Sequence, residues 1–361
     1  MDEFDVSPPT PDEVLQVARG IATAVAPDGG VTEVQASVLH GITLALTGEA
    51  VDYQHLEPIT PAALAAVLAT RRPEYRQRIV HHMVLGELVL RPLPASVAAR
   101  VEEFASALGT DDHFVRVARR YAQGAYGLAW VDLRRSGFSE RWSDLDVSLH
   151  AHGGIIDDPW ESHGPDPELE ARWEAFADLP EGTLGRSVHE MYLGRGFALP
   201  GNPMGAPAFL AQHDFVHVLA DFGTDLTGEL EVFALIGRAD PDPKGFAWLA
   251  TMIGLFATGY VAQAGFFRAD TTEAHMSFPG MGDRIADAVW RGKQVAEGYG
   301  VDLFRVDFHE LAPRPLDDAR ALLHLPPKSQ RAIDAGSASV LSLEGMSVEQ
   351  REAFIARQRG N

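Results

Sequence analysis

The residues best placed to do chemistry are His213-Asp214-Phe215-Val216-His217, followed after eleven residues by Glu229. Two histidines four apart on a helix sit about 40° apart around its axis and one turn apart along it, so both imidazoles can reach one ion. Asp214 lies about 100° round from His213, at the edge of the same face. Two imidazoles with one or two carboxylates suit zinc with a position left open for water or substrate, and a two-histidine, one-carboxylate set also suits ferrous iron. The expected cofactor is therefore a divalent metal, zinc ahead of iron, held by His213, Asp214, His217 and Glu229. The plain alternative is that the two histidines are ordinary helix residues, since a chain with fourteen histidines produces such spacings by chance.

These ligands need two helices and a turn between them. Asp221-Phe222-Gly223-Thr224 reads as the break, after which Glu229 returns on a second helix. Asp166-Pro167-Glu168 caps a new helix running toward Phe176. Phe246 to Phe267 is an uncharged run of membrane-spanning length, but Gly254, Gly259, Gly265, Thr251, Thr258 and Gln263 within it favour a helix buried inside an α-helical domain. Its Trp248, Met252, Phe256 and Tyr260 are either plain core or the lining of a slot for an apolar tail.

Two further blocks flank the histidines. Leu179-Pro180-Glu181-Gly182-Thr183-Leu184-Gly185-Arg186 precedes them, with Arg186 27 residues before His213. Ala288-Val289-Trp290-Arg291-Gly292, Leu303-Phe304-Arg305-Val306-Asp307-Phe308 and Pro315-Leu316 follow. In this order, with His-Asp-x-x-His, eleven residues and Glu, they resemble the coenzyme Q (ubiquinone) biosynthesis protein four family over about residues 176 to 325. Phe308 stands where the family more often has Trp. The resemblance implies a role in making ubiquinone or a related prenylated quinone. It also implies that the metal binds the carboxylate and adjacent oxygen of a polyprenylated aromatic ring. Members have been viewed as catalysts that replace the carbon-one carboxyl by hydroxyl, and as scaffolds that gather the other quinone-biosynthetic enzymes. On the first view the chain is a metal-dependent decarboxylase/hydroxylase of a prenylated benzoate, with Asp214 both ligand and candidate catalytic carboxylate. Arg186 would pair with an anionic ring substituent, or form a structural salt bridge, and the Trp248, Met252, Phe256 and Tyr260 slot would take the isoprenoid tail. Zinc would polarise the carboxylate but supply no oxidising equivalent, so an oxidative step would need iron or oxygen activation by the substrate. On the second view the chain is a lipid-binding adaptor with a structural metal. A zinc hydrolase with Asp214 as general base ranks last, because Asp is one methylene shorter than the Glu such sites use.

The remaining features frame that reading. At 361 residues, 46% hydrophobic and 22% charged, the chain is expected to be all-α with two helical domains, the second carrying the metal site and a buried apolar helix. Residues 1–135 read as a helical bundle, 136–167 as a linker, 168–330 as the metal-site domain and 331–361 as a tail with a short helix. Helix starts at Thr10-Pro11-Asp12-Glu13, Thr32-Glu33-Val34-Gln35, Thr60-Pro61 and Ser347-Val348-Glu349-Gln350 carry capping chemistry. Val97, Val101, Phe104, Ala105 and Leu108 mark one amphipathic helix that stops at Gly109. Ala24 to Leu39 resembles tellurite-resistance protein B-like domains, in which acidic residues near such a loop are proposed to bind metal; Asp28 and Glu33 read instead as a turn and a solvated helix start. His81-His82 point about 100° apart and read as structural or surface-exposed. His150, His152 and His163 lie in the linker, with no rigid element to hold an ion.

A net charge of −21 and a pI near 5.0 argue against nucleic-acid partners and against docking on anionic lipid. Zero cysteines leave metal binding to His, Asp and Glu. The acidic start, Met1-Asp2-Glu3-Phe4-Asp5, does not resemble a signal peptide, so a cytoplasmic protein is expected, with peripheral contact on the inner membrane face and a homodimer as further expectations.

Overall fold

The computed structural model describes residues 9–110, 113–124, 165–206, 208–242, 245–246, 249–250, 252–254 and 275–359. The fold is all-α: among the described residues there is no strand, only an isolated bridge between Thr183 and Pro315. The linker histidines and most of the Phe246–Phe267 run, including Trp248, Phe256 and Tyr260, lie outside the described residues. No helix of the described residues is long and apolar enough to cross a membrane.

The first helices are α1 (Pro11–Val25), α2 (Glu33–Thr47), α3 (Pro61–Val67), α4 (Pro73–Leu88), α5 (Ala95–Ala107) and α6 (His113–Ala122). Their starts follow from capping. The Glu13 carboxylate accepts from the Thr10 backbone N–H at 2.9 Å, and Gln35 does the same for Thr32 at 3.0 Å. The Thr60 hydroxyl accepts from the Ala63 N–H, with Pro61 at the first helical position. In α5 the predicted stripe is buried, and Gly109 ends the segment at φ +68. Asp28 lies in an exposed turn and Glu33 opens α2, as a turn and helix start require.

Helix α4 departs from the amphipathic pattern. Every residue from Arg78 to Leu88 is buried, including Arg78, His81, His82 and Glu87. It is in contact with α1, α2, α5 and α6.

The second group comprises α7 (Pro167–Glu174), α8 (Leu184–Arg195), α9 (Gln212–Ala220), α10 (Leu226–Ala239) and α11 (Met281–Gly298). Four more helices follow: α12 (Phe308–Leu311), α13 (Leu316–Leu322), α14 (Gln330–Asp334) and α15 (Val348–Gln358). Asp166 caps α7 through the Leu169 N–H, and Ser347 with Gln350 forms a capping box on α15. Helix α11 packs on α10 on one side and on α2 on the other, so it joins the two groups of helices. Small residues allow the α2 crossing: a Cβ on Gly41 would lie 2.6 Å from the Gly282 carbonyl oxygen. Lys293 reaches across the same seam to the Leu46 carbonyl at 3.0 Å. The buried apolar residues form one cluster that runs from Val14 to Val340.

Candidate metal centre

Helix α9 carries His213, Asp214 and His217, and α10 carries Glu229 near its start. The turn between them is short and fixed. Asp221 ends α9 in the left-handed region at φ 57, a conformation Asp tolerates, and its Oδ1 accepts from the Ser339 hydroxyl (2.6 Å) and the Val340 N–H (3.1 Å). Asp225 caps α10 through the Gly228 N–H at 2.8 Å. Only glycine fits at 228, because a Cβ there would collide with the Gly223 carbonyl. This tight return brings Glu229 opposite the two imidazoles.

The donor atoms converge. His213 Nε2 lies 3.4 Å from Asp214 Oδ1 and 3.4 Å from Glu229 Oε2, and His217 Nε2 lies 3.3 Å from Glu229 Oε1. One ligand atom from each of His213, Asp214 and His217 falls within 4.8 Å of the others. Two ligands each ~2.1 Å from an ion, at the tetrahedral angle, stand about 3.4 Å apart, so each of these three spacings suits a pair of donors on one small cation.

The other ring nitrogens face backbone carbonyls. His213 Nδ1 donates to Leu210 O, and His217 Nδ1 donates to Phe222 O at 3.3 Å. A carbonyl can only accept, so both Nδ1 atoms carry the hydrogen in the neutral rings and both Nε2 atoms present lone pairs to the cluster. His217 Nε2 is fully buried and finds no hydrogen-bond partner. Lone pairs from two imidazoles and two carboxylates face one another here, and a cation is the group that satisfies them. The residues fit a divalent metal.

The electrostatics agree. Burial works against a charged His213, but the Asp214 and Glu229 carboxylates outweigh it and lift its pKa above the usual range, so without an ion the site recruits a proton. Burial also acts to raise Glu229, and the two histidines more than reverse this, holding it well below the carboxylate range. Asp214 is raised, burial being only partly offset by the histidines and by a 2.5 Å hydrogen bond that the Tyr192 hydroxyl donates to Oδ2. The His213 ring stacks on Phe233 with centroids 5.5 Å apart. Side-chain exposure falls from 13% at Glu229 and 12% at His213 to zero at His217, so the cluster opens to solvent on its His213–Glu229 side.

The candidates for substrate contact are placed differently. Arg186 lies in the first turn of α8, bonded to Glu190 Oε1 at 2.8 Å and to the Ala177 carbonyl. Met252 is partly buried against the core. Three groups at the site were not read from the sequence: Tyr192, the Leu210 carbonyl and the Phe222 carbonyl. Tyr192 lies 22 residues from Asp214 on another helix, and no local spacing signals the pair.

Fold and site together define an all-α protein with a buried two-histidine, two-carboxylate cluster between consecutive helices. No family model, no curated protein and no solved structure matches the chain.

Proposed function

We propose that the chain binds a divalent metal, zinc ahead of iron, through His213, His217, Glu229 and Asp214 and serves in the biosynthesis of ubiquinone or a related prenylated quinone. The observation that carries the metal is the convergence of His213, Asp214 and His217 ligand atoms within 4.8 Å, with Glu229 oxygens 3.3 and 3.4 Å from the two Nε2 atoms and His217 Nε2 buried without a hydrogen-bond partner. The quinone assignment rests on the ordered sequence blocks around those residues, and its substrate is a polyprenylated aromatic carboxylate. A metal bound here supplies Lewis-acid polarisation of a carboxylate or ring oxygen. The chain's own part is to hold both imidazoles in one tautomer, to keep Glu229 ionised, and to anchor Asp214 through Tyr192 so that Oδ1 faces the ion. The opening on the His213–Glu229 side is where a substrate oxygen reaches the cluster.

A scaffold reading, with a structural metal, draws on the same geometry, since the ligands join α9 to α10. Metal analysis by inductively coupled plasma mass spectrometry tests both, on untagged wild type and His217→Ala, with circular dichroism melts and mass spectrometry of co-purified lipids beside it. The expected result is near-stoichiometric zinc or iron and a prenylated aromatic in wild type, with metal lost from a folded variant. A variant that unfolds supports the structural metal. Freshly purified wild type without metal would sink the ligand assignment.

A further inference from the structure

A slot runs between α1, α2 and α4 and is also lined by Arg238 of α10. Val14, Ile21, Ile42, Leu46 and Ile79 form its walls. Val14 and Ile21 on α1, like Tyr75 and His82 on α4, are seven residues apart, which makes the slot ~10 Å long.

The cations in this slot have no directly paired carboxylate among the described residues. Arg78 is 8% exposed; its Nη2 donates to the Asp242 carbonyl at 3.0 Å, while its Nε finds no partner. Arg238 lines the same slot, and the two guanidinium groups repel each other. Among the described residues neither arginine has a carboxylate within ion-pair distance. The Asp240 and Asp242 side chains act on Arg78, and Glu297 on Arg238, from farther away. The Tyr75 hydroxyl is buried without a partner, and His82 presents its ring while its Nδ1 donates to the Arg78 carbonyl at 2.7 Å. Burial first, and then Arg238, push the Arg78 pKa down to about 9, and Asp240 and Asp242 offset this only in part. A buried charge is costly unless it is paired, and guanidinium N–H groups match a carboxylate in shape and charge.

We infer that this slot binds a hydrophobic carboxylate, its alkyl chain lying along α1 and α4 and its head held by Arg78 and Arg238. A single negative charge is favoured over a dianionic phosphate because Asp240 and Asp242 already offset part of the positive charge. Isothermal titration calorimetry on the full chain with sodium decanoate, below its micellar range, tests the inference. Decanoate should bind saturably at one site, and decanol, which lacks the charge, and acetate, which lacks the chain, should each bind at least about tenfold more weakly. Arg78→Met and Arg238→Met should each weaken decanoate at least about tenfold with the fold retained in dichroism melts. Arg238 is the more exposed of the two, so its variant gives the readout if Arg78→Met does not fold. No saturable heat at millimolar decanoate, equal binding of decanol or acetate, tighter binding of decyl phosphate, or undiminished binding by a folded arginine variant would each overturn it.

Discussion

Tyr192 spends its hydroxyl on Asp214 in a fully buried setting, and that bond decides which carboxylate oxygen faces the histidines. With Oδ2 engaged, Oδ1 is left at 3.4 Å from His213 Nε2. Tyr192→Phe keeps the ring and removes only the donor. Groups that orient a ligand in this way are typically worth about 10- to 100-fold in metal affinity, so the variant is expected to lose that much in competition with a chromophoric chelator while remaining folded. Unchanged affinity would mean that Asp214 needs no such anchor. The ligands themselves were legible in the sequence because helical spacing and one turn sufficed to align them. Tyr192 and the two carbonyl acceptors were not, because a backbone oxygen has no residue signature and the tyrosine arrives by the packing of α8 on α9.

Helices set how firmly that cluster is held. The last turn of α9 leaves carbonyls without helical partners, and arginines from two other helices take them: Arg291 of α11 donates to Ala220 O at 2.9 Å, and Arg320 of α13 donates to Leu219 O at 2.8 Å. Arg291 also lies over the ring of Phe222, 4.9 Å from its centroid, the same residue whose carbonyl orients His217. Arg195 of α8 bonds Thr224 in the same turn, and Gln350 of α15 bonds it from the C-terminal segment, so residues expected to form a tail brace the α9–α10 connection. Capping residues announced α1, α2, α3, α7 and α15 in the sequence, since a cap is a local contract between neighbours. The crossing of α2 on α11 was silent, because Gly41 and Gly282 are small for a reason that only the partner helix supplies. Gly41→Ala is expected to destabilise the protein by ~1–3 kcal/mol, the usual range for overpacking a close contact. Gly29→Ala, in an exposed turn with nothing within 4 Å, is expected to fall within ~0.5 kcal/mol of wild type in the same urea titrations.

Over the whole molecule, two carboxylates on adjacent helices, one paired and one buried, pull stability in opposite directions as pH changes. Glu13 of α1, bonded to Arg71, has its pKa lowered from 4.5 to about 2, so the stability it contributes is complete above pH 4.5 and is lost as pH falls toward 2. Glu87 of α4 behaves inversely. It is fully buried, neither oxygen has a hydrogen-bond partner, and burial raises its pKa well above 4.5. Between pH 4.5 and that raised value the folded protein keeps a proton that the unfolded chain gives up, so each pH unit costs about 1.4 kcal/mol of stability. Glu87→Gln is neutral at every pH and escapes this loss. Its stability relative to wild type should therefore be flat below pH 4.5 and rise steadily above it, whereas Glu49→Gln, which removes the same formal charge from an exposed position, should follow wild type throughout. Thermal melts of the three proteins from pH 4 to pH 8 separate the cases: parallel curves for wild type and Glu87→Gln would mean that Glu87 ionises in the folded state, with a compensating cation drawn in beside α4.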